Sequence, residues 1–327
     1  MAPPPAPAHP VTPVPAVVAS AVMGIAVGTS SWTDPTLTKE SDFYPRRSMS
    51  AEQRLRHYAS IFPVVEVDGT YYAPPTARTA QLWAERTPAG FRMNVKAYAL
   101  FTQHPTRPNT LWEEVHDELP DEHRDKRSTY LAHLPAAAVD RAWDHFGDAL
   151  VPLQAAGKLA AVVFQFPPWF TARRDNRTYL AELAERLPGH QLAVEFRHRS
   201  WLDGDDDRRR TLRLLEEHGL AFVCVDGPQG FDSSVPPLVA ATADLAIVRF
   251  HGHNRETWEA KGISAAERFR YLYSEEELAA WVEPIRGLAA ATSETHALMN
   301  NCYRDYGVRN ARQLGQLLGE GLQAGAG

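Results

Sequence analysis

Eight short apolar runs, each closed by a polar or charged residue, set the tightest limit on what this chain can fold into. In order they are Ile25–Trp32, Val64–Tyr72, Phe91–Tyr98, Ala160–Pro167, Gln191–His198, Leu220–Asp226, Leu245–Gly252 and His296–Cys302. Their polar terminators are Ser30 and Ser31, Glu66 and Asp68, Lys96, Gln165, Glu195 and Arg197, Asp226, Arg249 and His251, and Asn300 and Asn301. Short apolar runs bounded by turn residues read as strands buried on both faces, as in a parallel sheet. Polar groups repeated at their ends point to a barrel whose open mouth carries a site.

Parallel strands need crossover connections, and stretches with helical spacing lie between the runs. The clearest is Val139–Ala156, where Val139, Ala142, Trp143, Phe146, Leu150 and Leu153 form one apolar stripe and Gly157 offers a stop. Further helices are expected over Ala51–Ile61, Thr76–Arg86, Thr178–Leu187, Asp207–His218, Glu275–Leu288 and Asn310–Leu318, with Ser50, Ser274 and Asp305 available as caps. Strand, helix and strand in alternation argue for an α/β fold, a single TIM-type (β/α)8 barrel. Two connections exceed the ordinary length: residues 103–138 after the third strand and 253–273 after the seventh. Both read as loop insertions that reach the C-terminal face, where such loops form lids and walls. The charge-rich DELPDEHRDKR run inside the first reads as a solvated face.

A chain of 327 residues with 44% hydrophobic content can fill one large core, so one domain over residues 23–320 is expected. The proline- and alanine-rich stretch 1–22 and the segment 321–327 read as tails, and Met23 is an alternative start. That stretch lacks the basic leader of a secretory signal, and the apolar piece Val17–Val27 is too short to span a bilayer, so a cytoplasmic protein without a membrane partner is expected. A net charge of −6 gives no global basic field, so charge does not indicate nucleic-acid binding. Cys224 and Cys302 lack CxxC spacing and read as small buried hydrophobes in a reducing compartment.

Side chains alternate along a strand, which puts Glu195 with Arg197 on one face and Arg249 with His251 on one face. An apolar barrel interior tolerates such groups only at its open end. Convergence of Glu66, Lys96, Glu195, Arg197, Asp226, Arg249, His251 and Asn301 there would supply carboxylates, cations for an anion and a histidine titrating near neutrality. An ion-pair network that merely plugs the barrel is the structural alternative. Trp32, Tyr71, Tyr72 and Trp201 either wall a pocket or pack beneath the loops. The GIAVGTSSW segment would let backbone approach a ligand. The chain has no GxGxxG after its first strand and no GxxxxGK[ST], HExxH or GxSxG, so no nucleotide cofactor motif is present.

GTSSW, Phe43–Pro45, VEVDGTYY, TPAGFRMNVKAY, Gln165–Pro168, AVEFRHRSW, VRFHG and Asn300–Tyr303 together resemble the successive motifs of the YecE-like family, domain of unknown function 72. The resemblance implies a TIM-type barrel with Glu66, Lys96, Gln165, Glu195, Arg197, Trp201, Asp226, Arg249, His251 and Asn301 at motif positions, and it supplies no reaction. Asp68 and Gly69 depart from the family's second-strand pattern.

The reading drawn from the residues is an enzyme acting on a small anionic or phosphorylated metabolite. In it Glu66, Lys96, Glu195, Asp226 and His251 are catalytic, with Glu195 as acid or base, while Gln165, Arg197, Trp201, Arg249, Asn300 and Asn301 bind substrate. Lys96 is alternatively a Schiff-base nucleophile if neighbouring cations depress its pKa. The alternatives are a barrel enzyme of isomerase or endonuclease type using a divalent ion, magnesium or manganese before zinc, and a non-catalytic metabolite sensor or scaffold.

Overall fold

A computed structural model describes residues 24–319; the two expected tails and the Met23 start lie outside the described residues. Eight strands form one closed barrel in sequence order: β1 Gly24–Thr29, β2 Val64–Val67, β3 Arg92–Lys96, β4 Leu159–Gln165, β5 Leu192–Glu195, β6 Leu220–Asp226, β7 Leu245–Phe250 and β8 Glu294–Met299. Every pairing is parallel, and β8 closes on β1. Each of the eight apolar runs overlaps one of these strands, and β1, β4 and β8 begin one or two residues before their runs.

Helices Ala51–Ala59, Ala77–Glu85, Ala136–Ala155, Arg174–Arg186, Asp205–Glu217 and Tyr306–Leu318 cover the barrel. The expected stripe is buried at Ala142, Trp143, Phe146, Leu150 and Leu153. Burial of a side chain such as Phe146 or Leu150 contributes roughly 1.5–3 kcal/mol relative to exposure. Gly157 stops the helix in left-handed backbone at φ 65°. Ser50 and Ser274 each form a reciprocal cap with the side chain three residues on. Asp305 stands at a helix start without a side-chain cap bond.

Two elements differ from expectation. The helix expected over Glu275–Leu288 is divided into Glu275–Ala279 and Val282–Ala291. Pro284 explains the division, because it has no N–H to donate to the carbonyl of Ala280. The connection between β6 and β7, residues 227–244, carries no helix. Its sequence holds Pro228, Pro236 and Pro237 with Gly227 and Gly230, which leaves no window for one.

Register fixes which residues face inward. Gln165 is level with Glu195, Val225 with Arg249, and Arg249 with Leu298. In parallel strands level residues share a face, so Glu66, Lys96, Gln165, Glu195, Val225 and Arg249 line the interior. A Cβ on Gly28 would sit 2.1 Å from the Val64 carbonyl oxygen, so the absence of a side chain here lets β1 pack against β2. The opposite end of the interior is filled by a separate polar layer: Arg92 grips Glu294 at 2.7 and 2.8 Å, Glu294 bonds His296 at 2.8 Å, and Asn94 meets His296 at 2.9 Å.

Candidate functional site

Arg249 projects from the end of β7 and joins two carboxylates inside the barrel. Its Nη2 donates to Glu66 Oε1 at 2.6 Å, and its Nη1 donates to Glu195 Oε2 and, at 3.1 Å, to Gln165 Oε1. Arg197, two residues past Glu195 on the same face, returns its Nε to Glu195 Oε1 at 2.5 Å. Lys96 Nζ donates to Gln165 Oε1 at 3.1 Å and lies 4.8 Å from the Tyr71 ring centre.

His251 Nε2 stands 3.1 Å from Glu195 Oε1 and 3.2 Å from Arg197 Nη2, and its Nδ1 stands 2.7 Å from the Asn300 amide nitrogen. One neutral tautomer satisfies the first and last contacts: Nε2–H donates to Glu195, and Nδ1 accepts from Asn300. Arg197 Nη2 then has no acceptor in the histidine. Arg197 Nη1 has no hydrogen-bond partner among the described residues.

Electrostatics follow from this burial. Burial pushes the Glu195 carboxyl up, but Arg197, Arg249 and His251 override it and hold the group well below the usual carboxylate range. Burial also works against the Arg249 charge, and the two carboxylates more than restore it. Glu66 is raised by burial in spite of Arg249 and Lys96, and its Oε2 has no partner. Lys96 is lowered by burial and by Arg249. His251 is pushed down to about 3, by burial first and Arg197 second, so it does not titrate near neutrality as expected from its type.

Above these groups opens a cavity of about 800 Å³ lined by Lys96, Gln165, Arg197, Arg249 and Asn300 at its base. Asp68, Tyr71, Tyr72 and Trp169 line one side, and Trp258, Lys261, Arg268 and Phe269 from the β7 connection line the other. Tyr72 and Trp169 are 65% and 56% exposed. The β7 connection is held by Trp258, whose Nε1 donates to Ser233 Oγ at 2.9 Å and whose ring lies under Arg197 at 4.9 Å. The connection after β3 supplies no lining residue; its His104 only backs Tyr71 and Trp169, with ring centres 5.1 and 5.7 Å away.

Three sequence candidates fall outside this convergence. Asp226 is level with Phe250, so it faces away from the interior; its Oδ2 accepts from Tyr273 at 2.6 Å and meets His253 Nε2 at 2.9 Å. Asn301 follows inward-facing Asn300 and therefore points outward, donating to Tyr271 O at 2.9 Å and Asn310 Oδ1 at 2.8 Å. Trp201 is fully buried, stacked on Phe196 at 4.4 Å and Phe170 at 5.5 Å, with Nε1 donating to Phe170 O at 2.6 Å. It belongs to the packing beneath the loops. Conversely, Asp68, which the sequence marks only as a strand terminator and a departure from the family pattern, and Trp169, Trp258 and Phe269, which it does not mark, line the cavity. The parity of Glu66 and Asp68 was a readable signal for the first; nothing in a loop sequence marks the other three.

The donor set does not favour a metal. The guanidinium of Arg249 takes the place between Glu66 and Glu195 that a bridging cation would need. No group of three or more His, Cys, Asp or Glu among the described residues is arranged to hold a metal ion.

The family described as "Protein of unknown function DUF72" matches residues 26–326. The UPF0759 protein YunF of Bacillus subtilis (strain 168) is 30% identical over 298 residues, 90% of this chain and 94% of its own. A crystal structure of a DUF72 family protein from Thermotoga maritima MSB8 superposes with a TM-score of 0.70 at 32% identity, covering 91% of this chain and 100% of its own. Another, from Enterococcus faecalis V583, gives 0.72 at 23% identity over 90% of this chain and 95% of its own.

Proposed function

The chain belongs to the DUF72 family, and from that premise we propose that its barrel mouth is an enzyme site for a small anionic or phosphorylated metabolite. One observation carries the reading: the cavity base offers donors whose acceptors are already consumed. Glu195 and Glu66 are turned onto Arg197 and Arg249. The Gln165 carbonyl is held by Lys96 and Arg249, which leaves its amide N–H groups for a ligand. Lys96, the outer edge of Arg197 and the Gln165 amide thus form a cationic, donor-rich floor suited to a phosphate or carboxylate.

In this reading Glu195 and Glu66 position the arginines, and Glu195 is a poor base because three neighbours hold its charge. Proton transfer falls to Lys96 and to Asp68, whose carboxyl is raised by burial on the cavity wall. The cytoplasmic location stays part of the proposal. The unpaired thiols of Cys224 and Cys302 agree with it, and no helix of the described residues is long and apolar enough to cross a membrane.

A thermal-shift screen of phosphorylated and carboxylated metabolites, each with EDTA, magnesium or manganese, tests the reading. The expected result is stabilisation by one anion class without metal, about 2.7 kcal/mol at a hundredfold excess over Kd. Stabilisation only with a divalent ion would transfer the site to the metal alternative. Binding without turnover of any bound anion would favour the sensor.

A further inference from the structure

We propose that Lys96 is a nucleophile that forms an imine with the carbonyl group of an anionic ligand. The inference rests on the anion-site reading and adds the bond that is made. Lys96 ends β3, faces inward and lines the cavity. Its amine has one hydrogen-bond acceptor among the described residues, the neutral Gln165 carbonyl, and takes part in no ion pair. Glu66 and Glu195, the carboxylates nearest in the network, are bound to arginines instead.

The contrast within the chain is informative. Lys158, the other lysine close to the barrel, donates to Ala84 O at 2.5 Å, Thr87 O at 2.6 Å and Thr87 Oγ1 at 3.0 Å, so its three donors are used. Lys39, Lys126 and Lys261 are exposed. Lys96 alone joins a half-buried, sparsely bonded amine to a cavity lined by arginines. Desolvation and a neighbouring cation are the two conditions that free a lysine amine for nucleophilic attack.

The step balances without an oxidant. The neutral amine nitrogen attacks the carbonyl carbon, the carbonyl oxygen leaves as water carrying one amine hydrogen and one proton from an acid, and a protonated imine that keeps the other amine hydrogen results. Asp68 directly follows the adjacent strand β2 and lines the same cavity as Lys96, which makes it the acid that protonates the departing oxygen. The Tyr71 face, 4.8 Å from Nζ, favours a cation there, and a protonated imine keeps that charge.

The test incubates the full chain with glyoxylate, pyruvate or pyridoxal 5′-phosphate and sodium cyanoborohydride, which reduces an imine to a stable secondary amine. Intact and peptide masses locate the adduct, inorganic phosphate serves as competitor, and thermal shift reports probe binding separately. The expected result is one adduct on the peptide containing Lys96, suppressed by phosphate and lost in Lys96→Arg, a variant that melts cooperatively. Probe binding with adducts only on Lys39, Lys126 or Lys261 would overturn the imine and leave the anion site standing. A Lys96 adduct that phosphate does not suppress would support the imine and count against the anion site. No stabilisation and no Lys96 adduct would overturn both.

Discussion

Removing the Glu195 carboxylate would strand the buried Arg197 guanidinium and leave Arg249 with Glu66 as its one carboxylate. Breaking a buried pair on one side costs about 3–5 kcal/mol, so Glu195→Gln is expected to lower urea-unfolding stability by that order. A loss below ~1 kcal/mol would show that the network is looser than the distances indicate. Histidines give a second prediction, with its sign set by protons. His104 and His251 are both held at about 3 in the fold against an ordinary 6.5. Between those values the unfolded chain binds protons that the folded chain refuses, so stability falls as pH drops, by about 1.4 kcal/mol per pH unit for each residue. His253 acts oppositely: its value is raised, so its contribution is complete below 6.5 and is lost as pH climbs through its folded value. Glu66 and Asp68, raised by burial, lose stability as pH rises, and their effect cancels when variants are compared with the parent. Stability of His104→Asn and His251→Asn measured from pH 6.5 to 4.5 should each show the parent's acid loss reduced by one proton's slope. At this scale the sequence revealed residue types better than directions. Asn300 and Asn301 are consecutive, so only one can face the interior, and that much was readable. Asp226 closes a strand apolar on both faces, where no pattern marks parity.

The strand ends and connections decide whether the site holds its shape. Gly28→Ala would drive a methyl into the backbone of β2 rather than into a movable side chain. Overpacking of this kind costs roughly 1–3 kcal/mol or more, and urea unfolding should register it with no change in the residues that bind a ligand. The β7 connection is expected to behave differently. Trp258→Phe removes the bond to Ser233 while keeping a ring near Arg197, so ligand affinity should fall with little loss of global stability, read by parallel titration and unfolding. Helical spacing identified most of the outer layer, but a stripe of apolar residues could not show that Pro284 divides one helix. Trp201 illustrates the same limit from the other side. Its position after a strand fits a pocket wall or the packing below it, and Phe170 and Phe196, distant or out of phase in sequence, decide for packing.

The barrel itself was the most legible property of the chain, because eight buried strands that each need a crossover leave few closed arrangements. The polar groups of its interior fall at two ends: a layer built on Arg92, Glu294 and His296 closes the bottom, and the donor-rich floor lies at the mouth. On the proposed function, residues that converge on that mouth bind the anion and residues that merely close strands do not. Calorimetric titration of an anion identified by the screen, on the parent chain, Arg197→Met and Asp226→Asn, separates the two groups. Loss of binding in Arg197→Met with affinity kept in Asp226→Asn is the predicted result. Unchanged affinity in Arg197→Met, or equal loss in both variants, would contradict it.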